Sequence, residues 1–308
     1  MNTGILKAIG NTTMIELKKV VPADCARILV KLEWENPSGS MKDRAALAMI
    51  EAAEKAGTLQ PGYTVVEYTG GSTGIALALV CKGKGYPLRI VTSDAFSLDK
   101  RRHMAAFGAE LHLVPSEGGM TTKKLILDMI AKARELAATP RTFWPDQLSN
   151  ADSVLGYRAL GEEIWNQSRG QVDAFVHCVG TAASFRGVSE LLKSRKPKLF
   201  AAAVEPAESA VLSGGQPNPH KIEGVGIGYL PPLWKPELAD EVIAIPTAEA
   251  KAMTRRLAAE EGIFAGTSSG ANVLAAIQLA RRLGLGATVV TLMADSGLKY
   301  LSTDVFQV

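Results

Sequence analysis

The sequence is poor in the features that mark several protein classes. Cysteine occurs three times, at Cys25, Cys81 and Cys178, far apart and without metal-ligand spacing. An odd count beside apolar neighbours excludes a disulfide framework and points to buried free thiols in a reducing cytoplasm. No run approaches the roughly 18 apolar residues of a membrane-crossing helix. Residues 1–10 lack a basic region followed by an apolar core, so no export signal is expected. Beyond Lys100-Arg101-Arg102 there is no basic tract, and the net charge is only +3. That argues against nucleic acid and suits a small anionic ligand. Histidine is scarce as well: His103, His112, His177 and His220 fall in no motif that would supply an acid–base pair. No metal is expected.

What is present is an ordinary globular composition, 47% hydrophobic and 21% charged over 308 residues, long enough for two domains. Strand and helix patterns alternate. Strands are expected over 26–34, 63–68, 88–93, 109–115, 173–179, 199–206, 241–246 and 288–294. Helices are expected over 45–56, from 75, and over 97–107, 120–138, 151–167, 184–194, 247–261 and 269–283. This is the pattern of βαβ units and an α/β fold with a mostly parallel sheet. Residues 139–150, with proline, aromatics and polar residues, are the best candidate for a domain crossover. Residues 209–232 form a long Gly/Pro-rich loop, and a loop of that length is usually functional.

The chemistry-bearing stretch is N-P-S-G-S-M-K-D-R at residues 36–44. Ser40 and Asp43 fit a capping box, which places Lys42 in the first turn of the following helix. A cation there opposes the helix dipole, so the amine is favoured in its neutral, nucleophilic form. Four further loops sit at strand-to-helix junctions, where open α/β sheets bind ligands. They are Thr69-Gly70-Gly71-Ser72-Thr73-Gly74, Gly180-Thr181-Ala182-Ala183-Ser184, Gly224-Val225-Gly226-Ile227-Gly228-Tyr229 and Gly266-Thr267-Ser268-Ser269-Gly270-Ala271. Backbone amides and helix N-termini in such loops suit anions and phosphate. A dinucleotide fingerprint fails at the first loop, because Thr69 stands where the first glycine is required. The third loop runs into Pro231-Pro232 and not into a helix. A lysine amine, an anion loop, a phosphate loop and a serine-bearing helix start point together to pyridoxal phosphate.

In these residues the chain resembles the fold-type II pyridoxal-phosphate enzymes, specifically the cysteine synthase (O-acetylserine sulfhydrylase) and cystathionine β-synthase group. The resemblance runs from Ile9-Gly10-Asn11-Thr12 through the Lys42 motif, residues 69–74, 180–184, 221–231 and 260–271, to residues 295–303. It implies two domains, each a mostly parallel twisted sheet flanked by helices. The smaller, 37–145, would carry the anion loop, and the larger, 1–36 with 146–308, the phosphate loop. Lys42 would carry the cofactor and act as the base. Gly180, Thr181, Ala182, Ala183 and Ser184 would hold the phosphate, Ser268 would meet the pyridine nitrogen, and Ser72 would lie near the ring. Thr69, Gly70, Gly71, Ser72 and Thr73 would bind the substrate carboxylate, with Gln147 and Gly226 bordering the substrate. The resemblance also implies a cytoplasmic homodimer acting on a small amino acid and sulfide or a thiol.

Three departures from the family pattern stand out. Gly70 and Ser72 replace the serine and asparagine of T-S-G-N-T-G. Ala182 and Ala183 replace two glycines of G-T-G-G-T, and Thr13 replaces the proline of I-G-N-T-P. The reaction expected is β-replacement on an activated serine, giving cysteine or a derivative. Net β-elimination, as in a cysteine desulfhydrase or serine/threonine dehydratase, is the alternative, and a non-catalytic cofactor-binding paralogue is the third reading.

Overall fold

The computed structural model describes residues 4–120 and 122–307. Thr121, inside the helix expected over 120–138, and the ends of the expected larger domain at Met1 and Val308 lie outside the described residues. The elements begin with β1 (Met14–Glu16), β2 (Arg27–Leu32), α1 (Lys42–Ala56), β3 (Thr64–Tyr68), α2 (Ser72–Lys84) and β4 (Leu88–Ser93). Next come α3 (Leu98–Ala106), β5 (Glu110–Val114), α4 (Lys123–Ala137), β6 (Thr142–Phe143), α5 (Asp152–Gln167) and β7 (Ala174–Cys178). The chain finishes with α6 (Ala183–Arg195), β8 (Phe200–Pro206), β9 (Glu241–Ile245), α7 (Thr247–Arg256), α8 (Thr267–Leu283) and β10 (Thr288–Met293). The expected helix over 247–261 is α7 plus one π-helical turn, Leu257–Glu261.

The chain divides into two compact units, one of residues up to Ile9 with Lys42–Ser153, the other of Gly10–Met41 with the residues from Val154 onward. In the first unit four parallel strands stand in the order β5-β4-β3-β6. Val65 faces a core with Ile75 and Ala78 of α2, while Val66 and Tyr68 turn the other way, onto Leu125 and Met129 of α4. That alternation is the period of a strand with both faces covered. The strand order reverses at β3, with β4 on one side and β6 on the other. Ligands of open α/β sheets lie outside the carboxyl ends of strands at such a reversal. β3 ends at Thr69, and β6 leads to Gln147.

The second unit holds six strands in the order β1-β2-β10-β7-β8-β9, all parallel except β1 against β2. Its central strands, T-V-V-T-L-M in β10 and A-F-V-H-C in β7, are buried at every position. Apolar and β-branched runs of this kind suit a sheet covered on both faces, each buried aliphatic side chain contributing about 1.5–3 kcal/mol. Here the order reverses between β10 and β7, and β7 runs directly into Gly180. Among the described residues no helix is long and apolar enough to cross a membrane. No group of three or more His, Cys, Asp or Glu among them would hold a metal.

Candidate active site

Lys42 is the first residue of α1, and the segment before it is fixed by hydrogen bonds within the second unit. Asn36 donates to the Glu33 carboxylate at 3.1 Å and accepts from Gly10 N at 2.8 Å, while Thr12 Oγ1 donates to Glu33 at 2.7 Å. The fully buried Lys31 ammonium donates to Thr12 and pairs with Glu163 at 2.7 Å. Gly39, at φ 73°, closes the turn on Asn36 O at 2.7 Å. Ser40 then bridges Asp295, and Met41 N donates to Ala294 O at 2.9 Å. The Gly10-Asn11-Thr12 motif thus serves to seat the segment that leads into Lys42. The departure at Thr13 has a physical use as well: its N–H, which proline lacks, donates to Glu35 at 2.6 Å.

Within the first unit the anion loop begins with Thr69, whose Oγ1 accepts from Gly71 N at 3.2 Å. α2 starts at Ser72, so the amides of residues 71–73 stand at its positive end. Gln147 lies against the same loop: its Nε2 donates to Tyr68 O at 3.2 Å and its N–H to Glu67 Oε2 at 3.0 Å. Glu67 Oε1 accepts from Tyr68 N at 2.9 Å and from the Trp144 indole at 3.0 Å. Burial pushes this carboxyl up to about 7, the three N–H donors pull it down, and the charge of Asp146 raises it further. The structure explains Gly70. A Cβ there would overlap the Phe96 ring, which fills the space a serine side chain would need. Lys100, 4% exposed, lies beside Gly71: a Cβ on that glycine would sit 3.8 Å from its ammonium.

Within the second unit residues 180–184 join β7 to α6. Gly180 admits no side chain, because a Cβ would fall on the carbonyl oxygen of Gly224. Gly226 N also donates to Val179 O at 3.1 Å, so the three-glycine loop is laid against the start of the phosphate loop. Ala182 caps α6 in the left-handed region, φ 68° and ψ −13°, a conformation glycine adopts without strain. Thr181 Oγ1 accepts from Ala183 N at 3.4 Å. Ser184, in the first turn of α6, is 6% exposed, and its Oγ lies 3.0 Å from His177 Nε2. Ser268 and Ser269 open α8 and differ sharply. Ser269 Oγ accepts from Ala294 N at 3.1 Å, whereas Ser268 Oγ has no hydrogen-bond partner among the described residues. Burial also pushes the Cys178 thiol well above its ordinary range, so it is no nucleophile.

Sequence reasoning missed Phe96, Lys100 and His177. Phe96 and Lys100 follow β4, the neighbour of β3, so strand adjacency was the signal that would have found them. A cavity of about 720 Å³ opens at the opposite end of the six-stranded sheet, near Arg27, Gln171 and Asp173. Its polar groups answer one another, Arg27 donating to Gln171 at 3.0 Å and Lys196 pairing with Asp173 at 2.6 Å, and supply no reaction chemistry.

Small-residue loops at two strand-to-helix junctions, residues 69–74 and 180–184, each leading into a helix N-terminus, are the kind of arrangement that suits an anionic cofactor. The chain belongs to the pyridoxal-phosphate dependent enzyme family, whose model matches residues 5–295. It is 43% identical over 304 residues to a cysteine synthase of Staphylococcus aureus, covering 98% of this chain and 96% of that one. Among solved structures it is similar to an O-acetyl serine sulfhydrylase, isoform 3, from Entamoeba histolytica. The TM-score is 0.92 and the identity 39%, covering 100% of this chain and 92% of the other. It is also similar to a hydrogen sulfide-producing enzyme of Fusobacterium nucleatum, with TM-score 0.90 and 35% identity, covering 98% of each chain.

Proposed function

We propose that this enzyme replaces the β-substituent of an activated serine, of the O-acetylserine type, with sulfide or a thiol, giving cysteine or a cysteine derivative. The Cβ–O bond breaks with departure of the carboxylate leaving group, and a Cβ–S bond forms. The observation that carries this reading is the full-length likeness to cysteine synthase.

The residues present fit pyridoxal phosphate. Small residues at the positive end of the 13-residue helix α6 form a cradle, and the 5% exposed Ser268 hydroxyl is left to meet a ligand atom. When bound, the cofactor takes up the electron pair released at the substrate's Cα. Lys42 holds it through its amine and afterwards moves the proton at Cα, so a single side chain serves as nucleophile and base. Amides of Gly180, Thr181, Ala182 and Ala183 with the Ser184 hydroxyl hold the phosphate, and Ser268 meets the ring nitrogen. A neutral hydroxyl there leaves that nitrogen unprotonated, which favours prompt loss of the leaving group. Thr69, Gly70, Gly71, Ser72 and Thr73 orient the substrate carboxylate, Gln147 and Gly226 border the substrate, and Ser72 also lies toward the ring. The two compact units are read as the enzyme's two domains, the anion loop in the first and the phosphate loop in the second. The enzyme is further read as a cytoplasmic homodimer.

Net β-elimination is the second reading, favoured by the likeness to a hydrogen sulfide-producing enzyme. Incubation with O-acetylserine and sulfide separates the two: cysteine as main product supports replacement. Pyruvate and ammonia, formed whether or not sulfide is present, would transfer the assignment to elimination.

A further inference from the structure

His177 has no role in the reading above, yet it is the buried neighbour of residues 180–184. It is the penultimate residue of β7, 3% exposed, and its two ring nitrogens have different partners. Nδ1 faces Asn272 Nδ2 at 3.2 Å, and Nε2 faces Ser184 Oγ at 3.0 Å. The orientation of Asn272 is fixed by two backbone groups whose roles are unambiguous. Its Oδ1 accepts from Cys178 N at 2.7 Å, and its Nδ2 donates to Leu292 O at 2.7 Å. A flipped amide would set N–H against N–H and oxygen against oxygen. Since Asn272 is fully buried, neither loss would be made up by water.

The direction of every hydrogen in the chain follows. Asn272 presents an N–H to His177 Nδ1, so that nitrogen is a lone pair and the ring's proton sits on Nε2. Nε2–H then donates to Ser184 Oγ, which must accept. The hydroxyl's own hydrogen is thereby excluded from the imidazole, and Ser184 has no other hydrogen-bond partner among the described residues.

We propose that His177 is a positioning residue for the cofactor phosphate: held as the Nε2–H tautomer by Asn272, it makes Ser184 an acceptor behind the loop and a donor to the phosphate in front. This rests on the proposed role of residues 180–184. The arrangement also offsets the departures at Ala182 and Ala183, since it adds an oriented side-chain donor to a loop that otherwise relies on backbone amides.

Two measurements test it. Histidine-selective 15N NMR of the holoenzyme should show His177 with a protonated Nε2 and a bare Nδ1; a proton on Nδ1 alone overturns the inference without any variant. A double-mutant cycle on the pyridoxal phosphate dissociation constant, measured by absorbance titration, reads the coupling. His177→Ala and Ser184→Ala should each weaken binding about tenfold, and the double variant should be no weaker than either alone. Independent effects, multiplying to about a hundredfold, would overturn the proposal. A wild-type protein that takes up no pyridoxal phosphate would defeat the proposed function as well, which the tautomer result alone would not.

Discussion

Replacing Glu67 by glutamine should change the way stability depends on pH, and the size of the change follows from the site. The carboxyl is fully buried, and Asp146 adds a negative field. The charged groups on neighbouring elements are engaged elsewhere: Arg89 of β4 pairs with Glu110, and Lys124 of α4 with Asp128. Its folded pKa of about 7, against 4.5 for an ordinary carboxyl, means that the folded protein holds a proton the unfolded chain has released. Stability from this group is therefore present in full below 4.5 and is lost as pH rises to about 7. At about 1.4 kcal/mol per pH unit the loss amounts to about 3 kcal/mol. Glutamine cannot titrate. Its oxygen can keep Tyr68 N and Trp144, but its NH2 must face Gln147 N–H, a constant cost of about 1 kcal/mol. Urea unfolding at a series of pH values should find Glu67→Gln the less stable protein at about pH 5 and level with or above wild type at about pH 8. Parallel stability curves for the two proteins would refute the argument.

Four other outcomes follow from the geometry. Gly70→Ala should destabilise by about 1–3 kcal/mol through collision with Phe96, and Phe96→Ala should recover part of the loss in thermal melts. Ala182→Gly removes a left-handed alanine and should raise the melting temperature, a gain of up to about 1 kcal/mol, while cofactor content is retained. Ser269→Ala leaves the buried Ala294 N–H without its acceptor and should cost about 1–3 kcal/mol in stability. Ser268→Ala should leave stability nearly unchanged and shift the visible spectrum of the bound cofactor instead.

Strand β4 was legible to the residue because L-R-I-V-T-S is rich in β-branched residues and follows a proline, and all of it but Arg89 is buried. β6, only two residues long, carries no period, and β1, three residues long, sits in a segment that reads as an irregular entry; both strands exist through their pairing with β3 and β2. The glycine and serine loops were visible because strand-to-helix junctions demand small residues and amide donors. What occupies the space around them was not. Phe96 explains Gly70 from 26 positions away, and Asn272 sets the tautomer of His177 from a separation of 95 residues. In sequence His177 is one position in an apolar strand, and Glu67 one in another. Their chemistry comes from burial and from backbone donors brought in by other elements.

The measurement that bears most directly on the account is reduction of the purified protein with borohydride, followed by peptide mapping. Lys42 as the residue that holds pyridoxal phosphate predicts a yellow protein, loss of the visible band on reduction, and a pyridoxyl group on the peptide containing Lys42. A colourless protein that takes up no cofactor, or an adduct on a different lysine, would contradict it.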